Sequence, residues 1–243
     1  HLTYLGRERF LELSRRLLAV AEFIPPGRVV ADIGTDHAYL PVYLVQTGRS
    51  PRVIATELNE KPWERALSWV RANRLENKIE VRRGAGLEPL APGEAQAVVV
   101  AGLGGKTIKQ LLAAAPEVLR RLERLVLQPM ADAGDLRLWL ADQGWRLADE
   151  ALVEEDGRLY AIIAAAPGKE AAADRFLIEI GPRLAEKGGP LFISYLEQLK
   201  RNCQRALSGL ERSRSPEAQE KAIRLTARLA KLREMMTKYA RES

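Results

Sequence analysis

VVADIGTDHAYLP, residues 29–41, decides the fold. Val29, Val30 and Ala31 run into Asp32, Ile33 and Gly34, as at the carboxyl end of a short buried strand. The apolar residues that follow, through AYLPVYLVQTG to Gly48, predict a helix. A strand that turns at a glycine into a helix opens a βα unit, and in a doubly wound sheet the ligand crevice lies at the carboxyl ends of such strands. Here that position carries Thr35, Asp36, His37 and Tyr39, where a pyrophosphate-binding loop would carry bare glycines.

The alternation continues outward. RVIATEL predicts a second strand and the stretch from Pro62 through WERALSWVRANRL its helix; KIEVRRG and AQAVVVAG predict a third and a fourth strand. KTIKQLLAAAPEVL, RLVLQP, DLRLWLADQG, WRLADEALVEEDG and RLYAIIAAAP keep to the same pattern. Short apolar strands between helices imply a mostly parallel sheet covered on both faces. The last two strands, joined at Glu154-Glu155-Asp156-Gly157, imply an antiparallel hairpin at one edge. Upstream, Leu13, Leu17, Leu18, Ala21 and Phe23-Ile24 form a helical stripe that ends at Pro25-Pro26-Gly27.

After PGKEAAAD the pattern changes. Phe176, Ile180, Leu184 and Leu191 suggest one helix with a break at Gly188-Gly189-Pro190. Apolar steps of three and four then run from Leu196 to Leu210 and from Ala222 to Tyr239, which predicts two helices in an antiparallel hairpin, a short coiled coil. The expected division is an α/β domain over residues 1–168, with its N-terminal helix, and a helical domain over 169–243.

A hydrophobic content of 47% provides a core, and no apolar run approaches the length of a membrane span. One cysteine, Cys203, and two histidines make a zinc site and an internal disulfide poor expectations, so no metal is predicted; a reducing, cytoplasmic compartment is expected. The net charge of +6 is unevenly placed, because residues 196–243 hold 12 Lys and Arg against 6 Glu. A polyanionic partner and a solvated helical surface both fit that excess.

The strand ends carry the candidate chemistry. Glu57 closes the second strand, where a carboxylate can accept both hydroxyls of a ribose. That implies an adenosine-containing cofactor, and two kinds compete. Asp36 opposes a pyrophosphate, whereas S-adenosylmethionine has no phosphate and brings an ammonium and a sulfonium that nearby carboxylates favour. Ala101-Gly102-Leu103-Gly104-Gly105 closes the fourth strand with three glycines, which permit close approach of backbone to a ligand or simply a tight turn.

VVADIGTDHAYLPVYL, IATELNEKPWERA, GLEPLAPGEAQAVVVAGLGG, LVLQP, LRLWL and EEDGRLYAII, in this order, closely resemble the bacterial tRNA (adenine-22-N1)-methyltransferase family. The resemblance implies a class I, Rossmann-like S-adenosylmethionine-dependent methyltransferase fold plus the C-terminal helical hairpin. It also implies methyl transfer to N1 of an adenine in the D-arm region of tRNA. Carried over by position, Asp32, Gly34, Thr35, Asp36 and His37 line the methionine side, and Glu57 and Leu58 hold the ribose. Gly84, Ala85 and Gly86 flank the adenine, and Ala101, Gly102, Leu103, Gly104 and Gly105 lie under the methyl group. The chain departs from the family pattern at Ala85, Leu103, Met130 and Ala161.

Adenine N1 is nucleophilic when neutral, so the reaction needs no obligatory strong base, and acceptors near the developing cation favour the transition state. The target base must be unpaired or flipped out. His37 and Tyr39 are the candidates for holding it, with capping and core packing as their ordinary alternatives; Gln128 could bond its edge or satisfy backbone. Tyr160 and the Glu154–Asp156 turn are expected to be structural. Lys200, Arg201, Arg205, Lys221, Arg224, Arg228 and Lys231 of the basic hairpin are the expected contacts to tRNA phosphates, and the protein is expected to be a monomer. Two rival readings remain. One is a non-catalytic tRNA-binding protein with a vestigial pocket, for which Ala85 leaves room. The other is an NAD(P)-dependent enzyme, opposed by Asp36 and by the missing third glycine.

Overall fold

The computed structural model describes residues 2–5, 8–11, 13–172, 174–210 and 215–242; residues 2–5, 8–11 and 240–242 are described in backbone only. β1 (Leu2–Leu5) and β2 (Glu8–Leu11) pair antiparallel as a separate two-stranded sheet, which the sequence pattern did not reveal. α1 (Arg15–Glu22) follows, with the Ser14 side chain accepting from the Leu17 N–H at its start. The alternation then runs β3 (Val30–Ile33), α2 (Tyr39–Gln46), β4 (Val53–Glu57), α3 (Glu60–Ala72), β5 (Ile79–Arg83) and β6 (Ala97–Leu103). α4 (Gly105–Ala113), α5 (Pro116–Leu119), β7 (Arg124–Pro129), α6 (Ala133–Asp142), β8 (Trp145–Glu155) and β9 (Arg158–Pro167) complete it.

The seven strands from β3 to β9 form one sheet in the order β5-β4-β3-β6-β7-β9-β8. β5, β4, β3, β6 and β7 are parallel; β9 runs antiparallel to β7, and β8 to β9, so the expected edge hairpin is present. Both faces are covered. Val30, Val53, Val99 and Val126 share one core with Val20, Ile24, Val42, Leu44, Ala66 and Val70 of the α1–α3 side. Ala31, Ile33, Val98, Val100 and Leu127 share the other with Ile108, Leu112, Leu136 and Leu140 of α4 and α6. Alternate residues of one strand therefore enter opposite cores, and each fully buried Val or Leu contributes about 1.5–3 kcal/mol. This is why the strands read as continuous apolar runs.

The chain divides into two compact units after Arg183, beyond the expected boundary at 168. Polar ties hold the intervening residues to the sheet. Glu170 accepts from the Leu147 N–H at 2.6 Å, and Arg137, wholly buried with Glu150, donates to it at 2.6 Å and to the Glu179 carbonyl at 3.1 Å. Glu150 accepts in turn from the Arg183 N–H. A buried guanidinium must be matched in this way, and sequence pattern cannot foresee which carbonyl will do it. α7 (Arg175–Ile180) and α8 (Pro182–Lys187) are two helices where one was expected, because Gly181 adopts φ 114° and Pro182 restarts the chain.

The second unit is built on α9 (Pro190–Leu210) and α10 (Pro216–Glu242). Phe192, early in α9, meets Tyr239, late in α10, ring edge to face at 4.9 Å; Cys203 meets Leu225 and Arg228. The two helices are therefore antiparallel, as their heptad steps predict. Phe192, Leu196, Cys203, Leu229 and Leu232 are buried between them, and the Tyr239 hydroxyl donates to the Ala185 carbonyl at 2.6 Å.

Candidate active site

The strand order sets β5, β4, β3 and β6 side by side, so their carboxyl ends bring Gly84–Gly86, Glu57, Asp32 and Ala101–Gly104 into one row. Order reverses between β3 and β6, which opens the crevice there. A Cβ placed on Gly34 would lie 4.0 Å from Leu103 Cδ1, so the two turns face each other across it.

Two carboxylates, Asp32 and Glu57, are 6% and 7% exposed at adjacent strand ends. Burial pushes the Asp32 carboxyl up to about 6, despite the hydrogen bond that Thr35 Oγ1 donates to it at 2.6 Å; the negative charge of Glu57 adds to the rise. Glu57 Oε1 accepts from the Asn59 N–H at 2.9 Å and from Asn59 Nδ2 at 3.3 Å, whereas Oε2 has no donor among the described residues. Neither carboxylate has a basic partner among the described residues. The site has excess negative charge at one strand end and a free acceptor at the next.

The turn after β3 is held by the protein's own hydrogen bonds. The N–H groups of Gly34 and Thr35 both donate to the Thr56 carbonyl, and Ala38 N–H donates to Thr35 O. Gly34, Asp36 and Ala38 have φ of 73°, 49° and 55°, with Thr35 and His37 between them outside that region. Such alternation turns successive N–H groups toward one concave side, and those of Asp36 and His37 donate to nothing among the described residues. The Asp36 carboxylate, half-exposed, already has partners on the protein. It pairs with Arg65 Nη2 of α3 at 2.6 Å and lies 3.4 Å from His37 Nε2. Its contribution is to pin the turn to α3.

Gly84 and Gly86 are needed for packing: a Cβ on Gly84 would meet Pro89 at 2.4 Å, and one on Gly86 would meet Leu111 at 2.7 Å. Gly105 is confined by backbone instead. Its N–H donates to Ala131 O, and a Cβ there would lie 2.6 Å from the Asp132 carbonyl oxygen and 2.8 Å from that of Ala131. The β6–α4 turn is thereby locked to the β7–α6 turn, with Met130 N–H donating to Leu103 O at 2.8 Å.

Gln128, fully buried at the end of β7, does not reach toward a substrate. Its Oε1 accepts from the Gly102 N–H at 3.1 Å and from Arg16 Nη1, while Nε2 donates to Pro129 O and lies 3.6 Å from Met130 Sδ. The expected contact with the base edge is corrected: every hydrogen-bonding position of the amide is used inside the protein, so Gln128 positions the Gly102 turn. Arg16, which sequence reading passed over, also pairs with Glu155 at 3.5 Å and lies 5.5 Å above the Tyr160 ring. Glu155 and Tyr160 thus hold Arg16 in place, in keeping with the structural part expected of them. The one available sign was an arginine one turn before buried Val20.

His37 and Tyr39 lie together, stacked at 5.0 Å with their planes 9° apart, and Tyr39 meets the Trp69 ring at 5.5 Å. They line an open groove of about 610 Å3 with Lys61, Glu64, Arg65, Ser68 and Trp69 of α3. Leu58, 58% exposed, stands free beside the Glu57 end. In the helical unit, Arg201, Arg205, Lys221, Arg224 and Lys231 are exposed and Lys200 is half-buried. Arg201 and Arg224 pair with Glu197 and Glu220 one turn away. Arg228 differs: it is half-buried, with Nη1 3.8 Å from Cys203 Sγ, because its position lies on the helix–helix seam. Among the described residues no group of His, Cys, Asp and Glu is arranged to hold a metal ion, and no helix is long and apolar enough to cross a membrane.

A family described as a methyltransferase domain matches residues 13–163. A curated relative, the tRNA (adenine(22)-N(1))-methyltransferase of Bacillus subtilis (strain 168), is 37% identical over 93% of this chain and 98% of its own. The crystal structure of the B. subtilis m1A22 tRNA methyltransferase TrmK superposes with a TM-score of 0.86 at 35% identity, over 93% of this chain and 99% of that one. The structure of M. capricolum TrmK in complex with S-adenosyl-homocysteine gives 0.79 at 28% identity, over 93% and 98%.

Proposed function

From its place in the tRNA (adenine(22)-N(1))-methyltransferase family, to which the chain belongs, we infer that it methylates N1 of adenine 22 in tRNA with S-adenosylmethionine as donor. The observation that carries this reading is the pair of buried carboxylates at adjacent strand ends without basic partners. Such a site disfavours a phosphate and favours a cationic ligand.

The residues present fit the donor. S-adenosylmethionine supplies a methyl group on a cationic sulfur, together with an ammonium, a carboxylate and a ribose. Asp32 would hold the ammonium, and the free N–H groups of Asp36 and His37 would hold the carboxylate. Glu57, through its unbonded Oε2, would accept from the ribose hydroxyls, and Leu58 and Gly84–Gly86 would hold the adenine. Gly34 and the Ala101–Gly104 turn allow close approach on both sides of the methyl group. His37 and Tyr39 offer an aromatic stack for a base splayed out of the tRNA. Because N1 arrives neutral and leaves cationic, no side chain has to remove a proton; the protein orients the base and supplies acceptors.

Incubation with tritiated donor and tRNA, followed by mapping of the labelled base, tests the reading. Label at N1 of adenine 22 is expected, and label elsewhere or none overturns it.

The basic face of the helical hairpin supplies the tRNA phosphate contacts. Reversing the exposed Arg201 and Arg224 to Glu together should weaken tRNA binding about tenfold or more at low salt and flatten its salt dependence. Arg228 is unsuited to that test, since its change would also disturb the seam around Cys203. Filter binding at several salt concentrations, with S-adenosylhomocysteine affinity as control, checks it; unchanged tRNA affinity removes the hairpin from the interface.

A further inference from the structure

Arg16 lies outside every strand end, yet its guanidinium sits over the turn that faces the methyl group. A Cβ on Gly102 would lie 4.0 Å from Arg16 Nη1, and both Nη1 and the Gly102 N–H converge on Gln128 Oε1. Three elements hold Arg16 in place. Its own N–H and Nε engage Glu155 of β8, its face covers Tyr160 of β9, and it is rooted in α1. Arg16 is also only partly buried, with 22% of its side chain exposed, so the assembly stands at the rim of the crevice.

The consequence follows from peptide geometry. In a trans peptide the N–H and the preceding C=O point in opposite directions. The Gly102 N–H is drawn toward β7 by Gln128, so the Ala101 carbonyl of the same peptide points toward β3. The β3–β6 pairing ends at Ile33 and Val100, and the next donor along β3, the Thr35 N–H, has turned away to the Thr56 carbonyl at 3.1 Å. The Ala101 oxygen therefore faces the opening between the two strands with no ladder donor to meet it.

We propose that the Ala101 carbonyl accepts a hydrogen bond from the exocyclic amine of the target adenine, and that Arg16 is the positioning residue that aims it through Gln128 and Gly102. The inference rests on the proposed function and adds to it the group that recognises the base edge beside N1. As the N1 lone pair forms the bond to carbon, the carbon–sulfur bond breaks and its electron pair stays on sulfur; the base gains a positive charge that spreads onto the amine. A carbonyl oxygen accepting from that amine gains strength as the charge develops, so it stabilises the transition state more than the bound base. No proton has to leave.

The test is a cycle in which Arg16 and the amine are removed separately and together. Arg16→Met and Arg16→Lys are assayed with tRNA carrying adenine at the target position and with tRNA carrying purine, which lacks the amine, in its place. With adenine, Arg16→Met should lower kcat about a hundredfold, while the donor KM and the S-adenosylhomocysteine Kd stay within about twofold. The wild type should favour adenine over purine, and Arg16→Met should shrink that preference about tenfold, because a misaimed carbonyl no longer reads the amine. Arg16→Lys keeps a cation against Glu155, which guards the fold, but lacks the planar fork and should fall between the two.

The same adenine-to-purine preference in wild type and variants overturns the proposal, as does a loss of S-adenosylhomocysteine affinity parallel to the loss of rate. A wild type that methylates no tRNA overturns the proposed function and this inference with it. A wild type that methylates adenine 22 with its preference unmoved by Arg16→Met overturns this inference alone.

Discussion

Replacing Asp32 by asparagine should stabilise the ligand-free protein above pH 6 and at the same time weaken S-adenosylhomocysteine binding by roughly 10- to 100-fold. Burial raises the Asp32 carboxyl from an ordinary value of 3.8 to about 6, so the folded chain holds that proton more tightly than the unfolded chain does. Between those two values stability falls as pH rises, and above the higher one the whole penalty applies. At 1.36 kcal/mol per unit it amounts to about 3 kcal/mol at most. Asparagine cannot ionise and keeps an oxygen for the Thr35 hydroxyl, so the variant should melt higher than wild type at pH 8 and equal to it below pH 4. The ligand's ammonium reverses the balance, since it favours the ionised carboxylate. Wild-type affinity should therefore decline by up to about tenfold per unit below pH 6, and the asparagine variant should show no such slope. Melting scans and calorimetric titrations across pH 4–8 read both effects; a wild-type affinity flat across pH 6 would remove Asp32 from the ligand's charge.

Gly105→Ala should cost about 2–4 kcal/mol and abolish most activity, although one methyl group is the only addition. That methyl would stand 2.6 Å and 2.8 Å from two carbonyl oxygens of the β7–α6 turn, and backbone cannot swing aside as a flexible side chain can. The two turns must part. Their separation would carry Ala101–Gly104 away from the methyl group and break the bonds to Leu103 O and Ala131 O. A fall in melting temperature of about 5–10 °C, with S-adenosylhomocysteine protecting less than in wild type, is the expected result. Gly104→Ala, where nothing lies within 4 Å of the added carbon, is the control that should leave the melting temperature nearly unchanged.

The sheet was legible because its strands enter two cores at once, which leaves apolar runs ended by glycine or an acid. Asp32 and Glu57 were found from their place at those ends, and the helical hairpin from its steps of three and four. What remained hidden depends on contacts between distant segments. Gln128 could be placed at a strand end, but its partners Gly102 and Arg16 come from β6 and α1, so its engagement had no local sign. Asp36 was assigned to the ligand by its charge, and only the fold brings Arg65 against it. The unit boundary moved for the same reason, because the Arg137–Glu150 pair reaches beyond residue 168 to Glu179 and Arg183.

The turn from Gly34 to Ala38 has a thermodynamic consequence. It carries left-handed conformations at Asp36 and Ala38, which cost an ordinary residue about 1–2 kcal/mol each, and it is held by Thr56, Thr35 and Arg65. A turn held by the protein's own bonds has less ordering entropy to lose when a ligand binds it.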